Sequence, residues 1–195
     1  ASFLREQDSD ILEILGGRYL LGNAKDSEFF DRYLRQTWEQ MPKEASYFSF
    51  YMKVLLSGRE WASEGRALLR SIYENIINEI MAPLSMKSAV FLDDELSGDA
   101  LVLLYSEIHQ REDMNEVVKA LETMRILYLK LLNTETAIYA SGFCSYDEIR
   151  ESVAGILNEM KNIVRDVSCV CLTGTEEKRS SRDFLAVQVN SWRVL

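Results

Sequence analysis

The segment "SYDEIRESVAGILNEMKNIVRDVSCVCLTG", residues 145 to 174, opens on Ser145 and Glu148, the S-x-x-E pattern of a helix capping box. It then sets Ile149, Val153, Ile156, Met160, Ile163, Val167 and Val170 at alternating spacings of four and three. Apolar spacing sustained in this way commits a chain to an amphipathic helix. The last residues, Val167 to Leu172, have the β-branched composition of a strand, but the periodicity continues through them. It predicts one helix from Tyr146 to Leu172, roughly 40 Å long at about 1.5 Å per residue. On that helix Cys169 and Cys171 stand about 200° apart around the axis. They are then two separate small side chains rather than a pair that shares a metal or forms a disulfide.

A second segment repeats the pattern. Asp113 and Glu116 form another capping box, and Val117, Leu121, Met124, Tyr128 and Leu131 follow at the same spacings, predicting a helix from Asp113 to Asn133. The two long helices are expected to pack on each other or on another chain.

The remaining segments are read against this helical frame. Asp8 or Ser9 caps a short helix that stops at Gly16-Gly17, and Phe30, Leu34, Trp38 and Met41 form one stripe ended by Pro42. In "KEASYFSFYMKVLLSG" the residues Tyr47, Phe48, Phe50, Tyr51, Val54 and Leu55 surround much of a helix, as in the centre of a bundle. Leu69, Ile72, Ile76 and Ile80 share the face of a following helix that Pro83 ends. Residues 82–97 read as an irregular connection with one helical turn, and 98–110 as a shorter helix. "TGTEEKRSS" is a polar loop. The segment 183–195 fits a helix through Leu185, Val189, Trp192 and Leu195, although Leu185, Val187 and Val189 also alternate as a strand would.

Composition supports the same class. Only two prolines and nine glycines occur among 195 residues, and 47% of residues are apolar, which suits a helical globular domain. The expected fold is all-α: one domain over 1–195, an antiparallel bundle or short HEAT-like stack of about seven to eight helices, with a flexible loop at 173–181 and a docking segment at 182–195. A formal charge of −9 repels phosphate backbones, and no basic stripe offsets it, so no nucleic-acid partner is expected. The longest apolar run, "ALVLLY", is far short of a membrane span. Three cysteines without framework spacing suggest a reducing, cytoplasmic setting. The start at "ASFLREQ", without Met, suggests a fragment of a larger protein.

Few residues offer chemistry. Asp93, Asp94 and Asp99 in "DDELSGD" resemble neither a full calcium loop, since Leu104 stands where a bidentate Glu belongs, nor a complete pair of aspartate-rich magnesium motifs. They are kept as a weak metal alternative, and no cofactor is expected. His109, the sole histidine, suits a helix end. "GRYLLGN" has P-loop glycine spacing but lacks the Lys and Ser/Thr. Candidate partner- or ligand-binding residues are the aromatics Trp38, Phe48, Tyr51, Trp61 and Trp192, and Ser180 and Ser181 follow basic residues as phosphorylation sites do. The leading expectation is a non-enzymatic interaction or regulatory domain that binds a protein partner through an aromatic and leucine-rich groove. The alternatives are a small-molecule-sensing bundle and a magnesium-dependent helical enzyme.

Overall fold

The computed structural model describes residues 2–22, 27–37, 45–58, 65–94, 97–106, 114–162 and 168–172, with the side chains of residues 2–9, Thr37 and Asp94 outside the description. Five α-helices and five strands are present among them: α1 (Ser2–Leu20), α2 (Glu28–Thr37), β1 (Ser46–Ser57), α3 (Arg66–Met81), β2 (Met86–Asp94), β3 (Asp99–Ser106), α4 (Met114–Leu132), β4 (Thr134–Cys144), α5 (Ile149–Asn162) and β5 (Val170–Leu172). The strands make one sheet in the order β2-β3-β1-β4-β5. β1 is antiparallel to β3 and β4, and β2 to β3, while β5 runs parallel to β4. From β1 to β4 this is the split βαβ arrangement of ferredoxin-like sheets, extended by α5 and an added edge strand.

The all-α expectation is therefore overturned, and the reason lies in burial. The sheet has a helix layer on each side, so its strands are apolar on both faces and lose the alternation that marks a half-exposed strand. On one face Phe48, Phe50, Met52, Val102 and Leu104 pack against Leu69, Tyr73 and Ile77 of α3 and Val117, Leu121, Met124 and Tyr128 of α4. On the other, Tyr47, Tyr51, Phe91, Leu101, Leu103 and Tyr139 pack against α1, α2 and α5 through Leu12, Phe30, Leu34, Ile149, Val153 and Ile156. What looked like an aromatic helix around Tyr47 to Leu55 is central strand β1, and "ALVLLY" is the buried middle of β3, not a helix over 98–110. Residues 82–97 do contain one 3-10 turn, Ala82–Leu84, but continue as β2.

The Asp113–Asn133 helix is present as α4, with Val117, Leu121, Met124 and Tyr128 of the expected stripe buried; its last turn buries Leu132 in place of Leu131, which is 60% exposed. The capping box also forms: the backbone N–H and hydroxyl of Ser145 donate to Glu148 Oε2 at 2.9 and 2.8 Å. The helix it starts, described over Ile149–Asn162, does not reach Leu172 as expected, because Val170–Leu172 is a strand. α4 and α5 lie on opposite faces of the sheet, so the two heptad patterns do not meet.

The open side of β2 is closed by a buried ion pair. Glu13 of α1, with its side chain 1% exposed, accepts from Arg66 of α3 through both carboxylate oxygens at 3.0–3.1 Å. The same Glu13 accepts the backbone N–H of Leu92 at 3.0 Å, and the Arg66 guanidinium donates to the Leu92 carbonyl at 2.8 Å. Together the two side chains satisfy the outward-facing N–H and carbonyl of one edge-strand residue as a neighbouring strand would. Burial pushes the Glu13 carboxyl above its usual pKa, with the Arg66 charge, the Leu92 N–H and the Arg70 charge opposing. A carboxyl held above its unfolded value contributes stability that is complete below the unfolded pKa and is lost as pH rises through the folded one. The ionised pair thus positions α1 and α3 rather than adding net stability.

Glu13→Ala, which strands the arginine, is expected to lower unfolding free energy by about 3 kcal/mol. The double change Glu13→Leu/Arg66→Met removes both charges but leaves the Leu92 N–H and carbonyl unpaired, so it should recover only part and remain about 1–2 kcal/mol below the parent. Urea denaturation compares the three; a double variant as stable as the parent would show that the Leu92 bonds contribute nothing.

Candidate functional site

The acidic turn between β2 and β3 is held by its own carboxylates. Gly98 adopts φ 81°, a left-handed conformation that a residue with a Cβ resists, and it lets the chain reverse into β3. Its carbonyl accepts the hydroxyl of Tyr73 at 2.9 Å. Asp93 accepts the hydroxyl of Tyr51 at 2.7 Å, and Asp99 accepts the backbone N–H of Val54 at 2.8 Å. Asp99 N–H in turn donates to Ser97 Oγ at 3.2 Å. Both described carboxylates thereby fasten the β2–β3 hairpin to β1, and no group of three metal-ligating side chains occurs among the described residues.

Of the aromatic candidates, Phe48 and Tyr51 are placed in the two cores on opposite faces of β1, both buried, so they do not line a common groove. Trp38, Trp61 and Trp192 lie outside the described residues, as do His109, Ser180, Ser181, the loop 173–181 and the segment 182–195.

The sheet's other edge brings together groups that the sequence reading kept apart. Arg125 of α4 donates to Ser168 Oγ at 2.7 Å, Ser168 donates to the Thr136 carbonyl at 2.9 Å, and Ile138 N–H donates to the Cys169 carbonyl at 2.8 Å. These bonds lay the start of β5 beside β4. In an extended chain, residues two apart point to the same side. The sulfurs of Cys169 and Cys171 accordingly stand 3.4 Å apart, both half-buried, which corrects the expectation that they diverge. The signal for this was present in the β-branched, alternating "VSCVCL". The Glu13–Arg66 pair had no comparable signal, because its partners are 53 residues apart and neither sits in a recognisable motif.

Two further features bear on chemistry. Cys144 has its thiol pushed up to about 11, chiefly by burial, with Glu148 adding repulsion. Several apolar side chains remain in water: Ile126 and Leu129 of α4 are 41% and 42% exposed, and Leu172 of β5 is 51% exposed. At about 100° per residue Ile126 lies roughly 160° from the centre of the buried stripe of α4, so it serves no contact within this chain's core. Leu172 shares its strand face with Val170, which packs into the α3/α4 core, and therefore lies on the α4 side of the sheet.

No protein-family model matches the chain, and no curated protein matches its sequence.

The two kinds of buried tyrosine should respond oppositely to loss of the hydroxyl. Tyr51→Phe removes a bond to a carboxylate and should cost about 1 kcal/mol, whereas Tyr128→Phe removes a fully buried hydroxyl with no partner among the described residues and should be neutral or stabilising by up to about 1 kcal/mol. Equilibrium unfolding of both variants checks the contrast.

The raised thiol of Cys144 predicts a pH window. Its stability contribution is intact below the unfolded value near 9.0 and is lost as pH rises through the folded value of about 11. Thermal unfolding of the parent should fall across that window more steeply than that of Cys144→Ala. Equal slopes would contradict it.

Proposed function

We propose that this domain is a non-catalytic interaction module whose partner docks on the outer side of α4 and the adjoining edge strand β5. The observation that supports this reading is the exposed apolar set Ile126, Leu129 and Leu172, on one side of the sheet and away from the buried stripes. Ile126 and Leu129 are three residues apart on a helix and so are surface neighbours. The described carboxylates of the acidic turn, by contrast, are engaged in holding the hairpin.

Charge selects the occupant. With a formal charge of −9 the chain repels a second copy of itself and attracts a cationic partner at long range. The partner is therefore a protein segment that presents apolar side chains flanked by Lys or Arg. Such a segment gains affinity from the apolar contact and association rate from the charge.

The test uses a photo-crosslinking amino acid at position 126 of the full protein in its own cells, with position 151 on the opposite side of the sheet as control. The expected product is a hetero-crosslink from 126 only, to a basic segment of one protein. With that protein purified, Ile126→Glu/Leu129→Glu should weaken binding at least about 100-fold, and added salt should slow association. Self-crosslinks alone, or binding untouched by the double change, would overturn the reading.

A further inference from the structure

The pair Cys169 and Cys171 is a cluster of nucleophiles that the proposed function does not use. Three observations bear on it. The sulfurs are 3.4 Å apart, in contact, with both side chains half-buried rather than sealed. Cys171 is in, and Cys169 immediately precedes, a three-residue strand at the border of the described sheet, paired with β4. The carbonyl of Cys169 accepts the Ile138 N–H, and Cys171 stands opposite Tyr139, so the pair brackets the pairing of the two strands.

We propose that Cys169 and Cys171 form a thiol–disulfide exchange site, closed by a low-molecular-weight disulfide such as oxidised glutathione and coupled to the pairing of β5 with β4. In the first step the thiolate of one cysteine attacks a sulfur of the small disulfide, whose S–S bond breaks, and one small thiolate leaves and takes up the proton. In the second, the neighbouring cysteine, having given up its proton, attacks the protein sulfur of this mixed disulfide and expels the other small thiolate, which is protonated in turn. Two protein thiols are oxidised and one small disulfide is reduced to two thiols. Exchange with a small reducing thiol runs the same steps backwards.

Geometry supplies both the ease of closure and its consequence. The second attack is intramolecular between sulfurs already touching, so the mixed disulfide is short-lived. A disulfide needs its sulfurs at about 2.05 Å and Cα atoms most often about 5.5–6 Å apart, whereas residues two apart in a strand are separated by about 6.6 Å. Closing the bond therefore shortens the backbone across Val170, which lies opposite Ile138, and pulls it out of register with β4. The cost falls on the strand least able to resist it, since β5 has a partner strand on one side only among the described residues. Cys144 stays outside this chemistry: it lies on β4, away from the 169/171 contact, and desolvation pushes its thiol up to about 11.

The full chain is treated with oxidised glutathione, denatured, alkylated with iodoacetamide and read by intact mass and peptide mapping. The expected product lacks two hydrogens, carries its disulfide between 169 and 171, is alkylated at Cys144 and returns to the thiol form with dithiothreitol. Cys169→Ser and Cys171→Ser should each stop at a single glutathione adduct. Amide hydrogen exchange at Ile138, followed by NMR, should speed up at least about tenfold in the oxidised form, as expected where a local strand pairing opens. A parent protein that stays fully alkylatable, or that accumulates the glutathione adduct instead of the internal disulfide, overturns the site. An internal disulfide with unchanged exchange at Ile138 overturns the coupling.

Discussion

The backbone N–H and carbonyl of Leu92 are the point on which the arrangement of layers depends. Leu92 belongs to the outermost strand on its side of the sheet, with an N–H and a carbonyl directed away from β3, and an uncovered edge of that kind invites a foreign strand. Glu13 accepts from the first and Arg66 donates to the second, and the two side chains bind each other. Because Glu13 belongs to the helix layer on one face and Arg66 to the layer on the other, one three-way contact closes the edge and clamps both layers over it. Arg70 reinforces the clamp, bonding to Asp10 at 3.1 Å. The desolvation of Glu13 argues that the reward is specificity of placement: a leucine there would be buried more cheaply but would leave the edge open.

The rest of the fold distributes burial around that clamp. The central strands β3, β1 and β4 are covered on both faces and carry the largest side chains. The helices over them are as closely packed: the hydroxyl of Tyr73 on α3 reaches the Gly98 carbonyl, while that of Tyr128 on α4, packed edge-on to Tyr73, meets no partner among the described residues. Where β1 ends, its Gly58 N–H donates to Asn133, and a Cβ at Gly58 would fall 2.1 Å from the Asn133 side chain. The crossing from α4 into β4 is thus moulded to the absence of a side chain on a strand 75 positions earlier.

Helices with one wet face were legible in the sequence and strands with none were not. α4 announced itself because Val117, Leu121, Met124 and Tyr128 recur on one side while Lys119, Thr123 and Lys130 occupy the other. Tyr47 to Met52, interrupted only by Ser49, and Leu101 to Tyr105 offered no polar phase, and a run apolar on both faces has no period to distinguish 2 from 3.6. The capping box at Ser145 was read correctly because it is local chemistry, yet the end of its helix was misplaced: Ile163, Val167 and Val170 prolong the heptad spacing beyond Asn162. Of the candidate site, the acidic turn was visible by its composition, but its role was not, since Tyr51 lies 42 residues from the Asp93 it binds. The closeness of Cys169 and Cys171 was hidden by the same misplaced boundary.

The sequence positions of the clamp have a bearing on how the chain is made. α1 is synthesised before the elements it contacts: Arg66 and Leu92 are 53 and 79 residues downstream of Glu13, and Ile149 to Ile156 of the helix that shares its layer are later still. A nascent chain emerging at about 5–20 residues per second therefore carries α1 and α2 for several seconds before the surface they cover exists. Meanwhile β1 to β4 and their two helices can gather around the opposite core, because that core draws only on residues from 48 onward. α1 and α2 are made before the strands they cover and are the last elements whose binding surface is complete, and the charged residue at position 13 must spend that interval in water, where a carboxylate is at home.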